Sequence, residues 1–183
     1  MRKLIFAINI TIDGFADHTA GIADDELHGF FTNFLNTIDV TLMGRKTYQL
    51  MENYWPNAHK DPNATKSIID FADKFNTMKK IIFSNTLKEV KWKNSSLASE
   101  SLLKVVSDLK NQNGKNISAG SLSIANQLLN ENLIDEFWFL IHPVVLGKGK
   151  KLFDGLEMKS QLHLVDIRKL NSGVVVLHYH NLK

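Results

Sequence analysis

Three short segments combine small and polar residues in the way that phosphate binding requires, and each follows an apolar run. They are Gly44-Arg45-Lys46-Thr47, Ser84-Asn85-Thr86 and Ala119-Gly120-Ser121-Leu122. Small residues let a ligand approach the backbone closely, and the unpaired N–H groups at a helix N-terminus favour an anion. Each segment also fits an ordinary turn or helix start. Neither a Gly-x-Gly-x-x-Gly pattern nor a P-loop pattern is present.

A carboxyl group follows the first apolar run of the chain. Asp13 stands between Ile12 and Gly14, and Phe15 comes next. Apolar neighbours could raise the pKa of Asp13 and make it a proton donor. An Asp-Gly pair is also typical of a tight turn. Both interpretations of Asp13 stay open at this point.

Histidines near the C-terminus suggest a second kind of chemistry. His178 and His180 are two residues apart in a strand-like segment, so both side chains face one side and could bind a metal ion. No third ligand stands near them in the sequence, and an exposed polar face on an edge strand is the simpler interpretation. We therefore predict no metal site, and we interpret His142, within an apolar run, as a packed core histidine.

The elements that must position these residues alternate between strand and helix. The predicted strands are 3–10, 39–43, 79–84 and 115–118, the predicted helices are 25–38, 45–54, 66–75, 102–109 and 122–131, and the later strand-like segments are 135–146, 161–169 and 174–181. This order predicts an α/β fold whose mostly parallel sheet has an antiparallel C-terminal edge. Ligands bind such sheets beyond the carboxyl ends of the strands, where the three polar segments and Asp13 are expected.

Composition narrows the function classes. The 183 residues predict a single domain over 1–183, and the absence of cysteine excludes disulfides and thiol catalysis. The net charge is only +3, and the basic residues fall in small clusters, which favours a small anionic ligand over a nucleic acid. No signal peptide and no run of about 18 apolar residues is present, so we predict a cytoplasmic protein with no membrane partner.

Five blocks, read together, resemble the dihydrofolate reductase-like superfamily, and in particular the reductase domain of riboflavin biosynthesis and its stand-alone relatives. The blocks are KLIFAINITIDGF (3–15), DVTLMGRKTYQLM (39–51), KKIIFSNT (79–86), ISAGSLSIANQLL (117–129) and LIDEFWFLIHPVVLGKGKKLFDG (133–155). The resemblance implies a three-layer α/β/α fold and NADPH as the cofactor.

The resemblance also implies roles for individual positions. Gly44–Thr47 would hold cofactor phosphates, Ser84–Thr86 would face the adenosine, and Gly120–Leu122 would take the pyrophosphate. The backbone at Ala7 and Ile8 would lie against the nicotinamide. Asp13 would border the substrate pocket.

Three departures from the family pattern qualify these roles. Ala119 stands where many members have glycine, and Asn85 stands where folate reductases have arginine, so a preference for NADPH over NADH rests on Arg45 and Lys46. The first helix also lacks the internal acid of true folate reductases. Dihydrofolate itself is therefore not the expected substrate.

We predict an NADPH-dependent reductase of a pteridine, pyrimidine or related heterocycle. The alternative from another class is a domain of the same fold that binds a dinucleotide without catalysis. The long apolar strands of the tail also predict a homodimer that shares a sheet edge.

Overall fold

The apolar runs form the inner strands of one eight-stranded sheet in the computed structural model, which describes residues 1–157 and 159–182. The strands are β1 (Leu4–Thr11), β2 (Ile38–Gly44), β3 (Lys79–Phe83), β4 (Ser95–Leu97), β5 (Asn116–Ala119), β6 (Glu136–His142), β7 (Gln161–Lys169) and β8 (Val175–Leu182). Their order across the sheet is β4-β3-β2-β5-β1-β6-β8-β7. The first six strands run parallel, and β8 pairs antiparallel with both β6 and β7. The predicted mostly parallel sheet with an antiparallel C-terminal edge is confirmed.

Helices cover both faces of this sheet. They are α1 (Asp25–Leu35), α2 (Arg45–Glu52), α3 (Lys66–Thr77), α4 (Leu102–Lys110) and α5 (Leu122–Asn130), with a 3-10 helix at Trp55–Lys60. Side chains of α1, α2 and α3 pack with Ile5, Met43 and Ile82 on one face. Those of α4 and α5 pack with Leu4 and Phe6 on the other. The arrangement is the predicted three-layer α/β/α fold.

Local signals account for several element boundaries. The Asp24 carboxylate accepts the Leu27 N–H at 2.8 Å and so caps the N-terminus of α1. The strand predicted over 135–146 ends at His142, because Pro143 has no N–H to donate to the ladder. The prediction missed β4, which has three residues and no apolar alternation.

One sequence-based interpretation of the tail is wrong. The strand that carries His178 and His180 is not at the edge of the sheet, because β8 lies between β6 and β7. Only 12% of the His178 side chain is exposed. The edge position falls to β7, whose side chains Leu164, Val165 and Ile167 are exposed.

Because six strands run parallel, their carboxyl ends lie along one side of the sheet and their amino ends along the opposite side. We call these two sides, which are distinct from the edge strands, the carboxyl edge and the amino edge. In the β1–β6 pair, Thr11 lies opposite His142 and Ile5 lies opposite Glu136. The carboxyl edge therefore carries Asp13 and the turns that follow β2, β3 and β5, whereas Glu136 belongs to the amino edge. Side chains at the two edges are separated by about 20 Å, the length of a strand of six residues.

Candidate functional site

Segments that are far apart in the sequence meet at the carboxyl edge in one cleft of about 610 Å³, the carboxyl-edge cleft. Its lining includes Gly44, Arg45, Lys46, Thr47, Ser84, Asn85, Leu122, Ser123 and Lys150. Ala119 and Ser121 are buried, and Thr86 is exposed beside its lining neighbours. The structure thus brings parts of all three predicted segments to one place. Ala7, Ile8 and Asp13 are not among the residues that line this cleft.

Two close approaches explain the small residues of the cleft. The Gly44 N–H donates to Ser121 Oγ at 3.0 Å, and a Cβ at Gly44 would lie 2.7 Å from Ser123 Oγ. A Cβ at Gly120 would overlap the Thr41 hydroxyl and lie 3.3 Å from the Leu42 carbonyl oxygen. The starts of α2 and α5 are therefore held against each other.

The electrostatics of the cleft favour an anion. Within the described residues, no side chain caps the first turn of α2 or α5, so N–H groups of both helices lack a side-chain acceptor. The positive end of each helix dipole adds to this preference. Three cations, Arg45, Lys46 and Lys150, line the cleft together with one acid, Glu100. The sequence analysis did not assign Lys150 to the site, although its Gly-Lys-Gly-Lys run was a usable signal.

The turn after β3 agrees with both interpretations of Ser84-Asn85-Thr86, an ordinary turn and part of the lining of a ligand site. Ser84 Oγ accepts the N–H groups of Thr86 at 3.1 Å and Leu87 at 3.0 Å, which is the ordinary hydroxyl-stabilised turn. Asn85 and Thr86 are exposed, and Asn85 lines the cleft. The turn therefore presents the Asn85 amide to a ligand while Ser84 fixes the backbone.

The pKa of Asp13 is lowered, whereas a proton donor needs a raised pKa. Its carboxylate accepts hydrogen bonds from Thr11 Oγ1 at 2.6 Å, Gly147 N at 2.7 Å and Leu146 N at 3.1 Å. The Thr11 hydroxyl and the Gly147 N–H hold the pKa of Asp13 below its ordinary value. Of the two interpretations left open, the structure favours the tight turn, in which the Gly14 N–H donates to the Thr11 carbonyl at 2.9 Å. The apolar surroundings that would raise the pKa are lacking, because Ile12 and Asp13 are both exposed. As an anion, Asp13 fastens the loop after β6 to the end of β1.

A hydrogen-bonded polar pair, the buried His142 and the half-buried Asn9, lies close to that end of β1. His142 is buried, as predicted, and its Nδ1 accepts the Ile22 N–H at 2.9 Å. This bond leaves the ring proton on Nε2, which donates to Asn9 Oδ1 at 3.0 Å. Burial lowers the pKa of His142, so the ring stays neutral. Asn9 interrupts the apolar run of β1, and this polar position was a signal in the sequence for a functional side chain.

The amino edge holds a second group of titratable side chains. His178 Nε2 lies 3.1 Å from Glu136 Oε2, and His180 Nε2 lies 3.4 Å from Glu136 Oε1. We call these three residues the amino-edge cluster. Sequence reasoning paired the two histidines and missed Glu136, because 42 residues separate it from His178 and only the β6–β8 pairing brings them together.

Comparison with known proteins agrees with this architecture. Residues 2–176 match the model of the RibD C-terminal domain family. The chain belongs to the RibD C-terminal domain family. It is 36% identical over 184 residues to the Bacillus subtilis (strain 168) protein YyaP, covering 98% of this chain and 95% of YyaP.

Solved structures place this family member in the dihydrofolate reductase-like fold. A candidate riboflavin biosynthesis protein from Shewanella sp. PV-4 superposes with a TM-score of 0.76 at 19% identity, covering 99% of both chains. Dihydrofolate reductase from Enterococcus faecalis, a complex with NADP(H), gives 0.60 at 14% identity, covering 99% of this chain and 97% of that one. Among the described residues, no helix combines the length and apolar character that crossing a membrane demands.

Proposed function

We propose that the protein is an NADPH-dependent reductase that transfers a hydride to a pteridine, a pyrimidine or a related heterocycle. The observation that carries the proposal is the carboxyl-edge cleft, in which the starts of α2 and α5 and the turn after β3 meet with three cations. Membership of the RibD C-terminal domain family and the likeness to an NADP(H)-bound fold support the same activity.

The cleft fits a dinucleotide in its details. A Cβ at residue 44 would meet the hydroxyl groups of Ser123 and Ser121, so glycine at this position lets the start of α2 lie close to the start of α5, where a phosphate would meet both helix N-termini. Arg45, Lys46 and Lys150 would hold the phosphates, and Asn85 would face the adenosine. The cofactor would supply the hydride, and the protein would position two rings and manage one proton.

On the substrate side, the backbone at Ala7 and Ile8 would lie against the nicotinamide. Asn9 follows them, and the neutral His142 ring fixes its amide by donating from Nε2 to Asn9 Oδ1, while His142 Nδ1 accepts the Ile22 N–H. Asp13 would border the substrate as a carboxylate that accepts N–H groups of the heterocycle. Because Asp13 is held ionised, the proton would come from bound water rather than from this residue.

Cofactor binding and turnover test the proposal in two steps. Intrinsic tryptophan fluorescence is titrated with NADPH and NADH, and NADPH oxidation is then followed with a panel of pterins and pyrimidines. Binding of NADPH with turnover of at least one panel member is expected. Failure to bind either cofactor overturns the proposal, and tight binding without turnover of any member supports a non-catalytic dinucleotide-binding domain instead.

Asp13→Asn separates the substrate side from the cofactor side. We expect kcat/KM to fall while NADPH affinity is unchanged, because the Asp13 carboxylate contacts the loop at Leu146 and Gly147 and not the carboxyl-edge cleft. An unchanged kcat/KM would remove Asp13 from the substrate site.

We also infer that two copies of the chain pair through β7. This edge strand exposes Leu164, Val165 and Ile167, and its outer backbone groups can pair with a second β7. Light scattering should give twice the mass of one chain, and Ile167→Lys should shift the population to the mass of one chain. A wild-type mass of a single chain would contradict the pairing.

A further inference from the structure

The amino-edge cluster consists of three side chains on two hydrogen-bonded strands. Glu136 lies directly opposite His180 in the β6–β8 register, and Trp138 lies opposite His178. The ligand atoms of Glu136, His178 and His180 all lie within 4.8 Å of one another. Side chains two residues apart on a strand share a face, so both histidines and Glu136 point to the same side of the sheet.

Each histidine nitrogen lies near one oxygen of Glu136, at a separation close to that of two ligands of one metal ion. Bond lengths near 2.1 Å place two ligand atoms about 3.0 Å apart at octahedral angles and about 3.4 Å apart at tetrahedral angles. The Glu136 oxygens lie 3.1 Å from His178 Nε2 and 3.4 Å from His180 Nε2. Small side-chain rotations would therefore bring the three groups onto a single ion.

The donor set also suits a metal ion. The Glu136 carboxylate pairs with the Lys3 ammonium and lies close to both imidazole rings. Metal ions bind a carboxylate and the neutral form of an imidazole, which are the two kinds of group present here.

The surroundings hold the ligands in place and leave an approach from solvent. The Trp138 ring stacks on the His178 ring with centroids 3.8 Å apart and an angle of 11° between the planes, which fixes the imidazole orientation. Glu136 and Trp138 line a second cleft of about 670 Å³ between α1 and the end of β7, so ions can reach the carboxylate. Half of the Lys3 side chain is exposed, so its ammonium can leave Glu136 when another cation arrives.

We propose that Glu136, His178 and His180 bind one divalent transition-metal ion, with Zn²⁺ as the best-fitting probe. Two imidazole nitrogens and one carboxylate favour Zn²⁺, Co²⁺ or Ni²⁺ over Mg²⁺ and Ca²⁺, which prefer oxygen ligands. The site lies at the opposite edge of the sheet from the carboxyl-edge cleft. Its role is therefore to join β6 to β8 rather than to take part in hydride transfer, and it does not depend on the proposed function.

Zinc binding to the intact chain, freed of any purification tag, tests this site. Zn²⁺ is titrated against a chromophoric chelator after removal of trace metals with EDTA. One ion per chain is expected. Glu136→Gln, His178→Phe and His180→Ala should each weaken binding by more than about tenfold, since the loss of even an indirect partner of a metal ligand costs that much. Equal affinity in the wild type and all three variants would overturn the proposal.

Two further variants make the test specific. Lys3→Met should strengthen Zn²⁺ binding, because it removes the ammonium that competes for Glu136. His163→Ala is the matched control, since His163 is the cross-strand neighbour of His180 but is exposed and outside the cluster. A loss of Zn²⁺ affinity in His163→Ala as large as that in His180→Ala would contradict the three-ligand assignment.

Thermal unfolding in EDTA shows whether each variant remains folded. His178→Phe keeps an aromatic ring stacked on Trp138, so it is the least disruptive replacement of that ligand.

Discussion

At the carboxyl edge of the sheet, polar groups come from turns and helix starts, whereas at the amino edge they come from side chains on paired strands. The carboxyl-edge cleft offers backbone N–H groups and the cations of Arg45, Lys46 and Lys150. At the amino edge, Glu136 and His178 are largely buried and already paired with each other, and Glu136 also pairs with Lys3. Loops can adapt to a large ligand, but strands fix a few atoms at set distances. A dinucleotide therefore suits the first edge and a small ion suits the second.

Gly120→Ala should cause the largest change at the carboxyl edge. A Cβ would overlap the Thr41 hydroxyl and approach the Leu42 carbonyl, and the backbone of β2 cannot yield cheaply. We expect the free energy of unfolding to fall by about 3 kcal/mol or more, as measured by urea denaturation.

Gly29→Ala is the matched control for that substitution. Gly29 lies inside α1, and no atom lies within 4 Å of the point that its Cβ would occupy, so alanine should stabilise the protein by about 0.5–1 kcal/mol. Equal effects of the two substitutions would show that Gly120 is not sterically required.

Glu136→Gln should have the next largest effect, at the amino edge. It leaves His178 and Lys3 without their carboxylate, and we expect a loss of about 2 kcal/mol in EDTA at pH 7. The folded-state pKa of Glu136 lies below its unfolded value, so its contribution is present above the unfolded pKa and disappears as the pH falls through the folded one. The difference between wild type and variant should therefore close below about pH 4.5. A difference that persists in acid would argue against the ion pair.

Arg45→Gln tests the carboxyl-edge cleft without disturbing the fold. Within residues 1–157 and 159–182, the Arg45 guanidinium bonds only to Gln49 on its own helix, at 3.2 Å, so the free energy of unfolding should be almost unchanged. NADPH affinity should fall about tenfold, equivalent to about 1.4 kcal/mol, because a charged partner of a phosphate is lost. Lys66→Gln is the control, because Lys66 is exposed on α3 and pairs with Asp70 outside the cleft. The same loss in both variants would indicate a non-specific charge effect.

Lys80→Met should give the smallest of these effects, a pH-dependent change in the free energy of unfolding. It tests a buried charge at the amino edge that is bonded to backbone carbonyl groups rather than to an acid. Lys80 is fully buried, and its Nζ donates to the Met78 carbonyl at 2.8 Å and lies 4.4 Å from the Trp92 ring centre. Burial lowers its pKa from 10.5 to about 8. Below the pKa of Lys80 in the folded state, the buried ammonium destabilises the folded protein in full. This destabilisation disappears as the pH rises from the folded pKa to the unfolded pKa, because the folded state loses the proton first.

The wild type should therefore gain stability relative to Lys80→Met as the pH rises above about 8 towards 10.5. Between about pH 8 and pH 9 we expect a gain of about 1 kcal/mol, because the folded state releases the Lys80 proton while the unfolded state keeps it. Urea denaturation of both proteins across this range measures the change. A constant difference would show that Lys80 remains charged throughout.

The spacing of apolar residues predicted the order of most strands and helices along the chain. It also predicted where the three polar turns lie. Because the strands are parallel, the turns after β2, β3 and β5 reach the same edge, and the small residues at Gly44 and Gly120 indicated close approach. The edge strand was predicted wrongly. Both β7 and β8 have strand-like patterns, and nothing local shows which of them pairs with β6.

The sequence by itself determined which residues form most of the strands and helices, because the spacing of apolar residues and the capping of helices act over a few neighbours. Only the tertiary structure decided the protonation behaviour of Asp13, Glu136 and Lys80. The pKa of Asp13 is held low by the Thr11 hydroxyl and by N–H groups 133 and 134 residues away. Glu136 meets His178 only through the β6–β8 register. A pKa depends on the charges, hydrogen bonds and water within a few ångströms, and folding brings those groups together from distant parts of the chain.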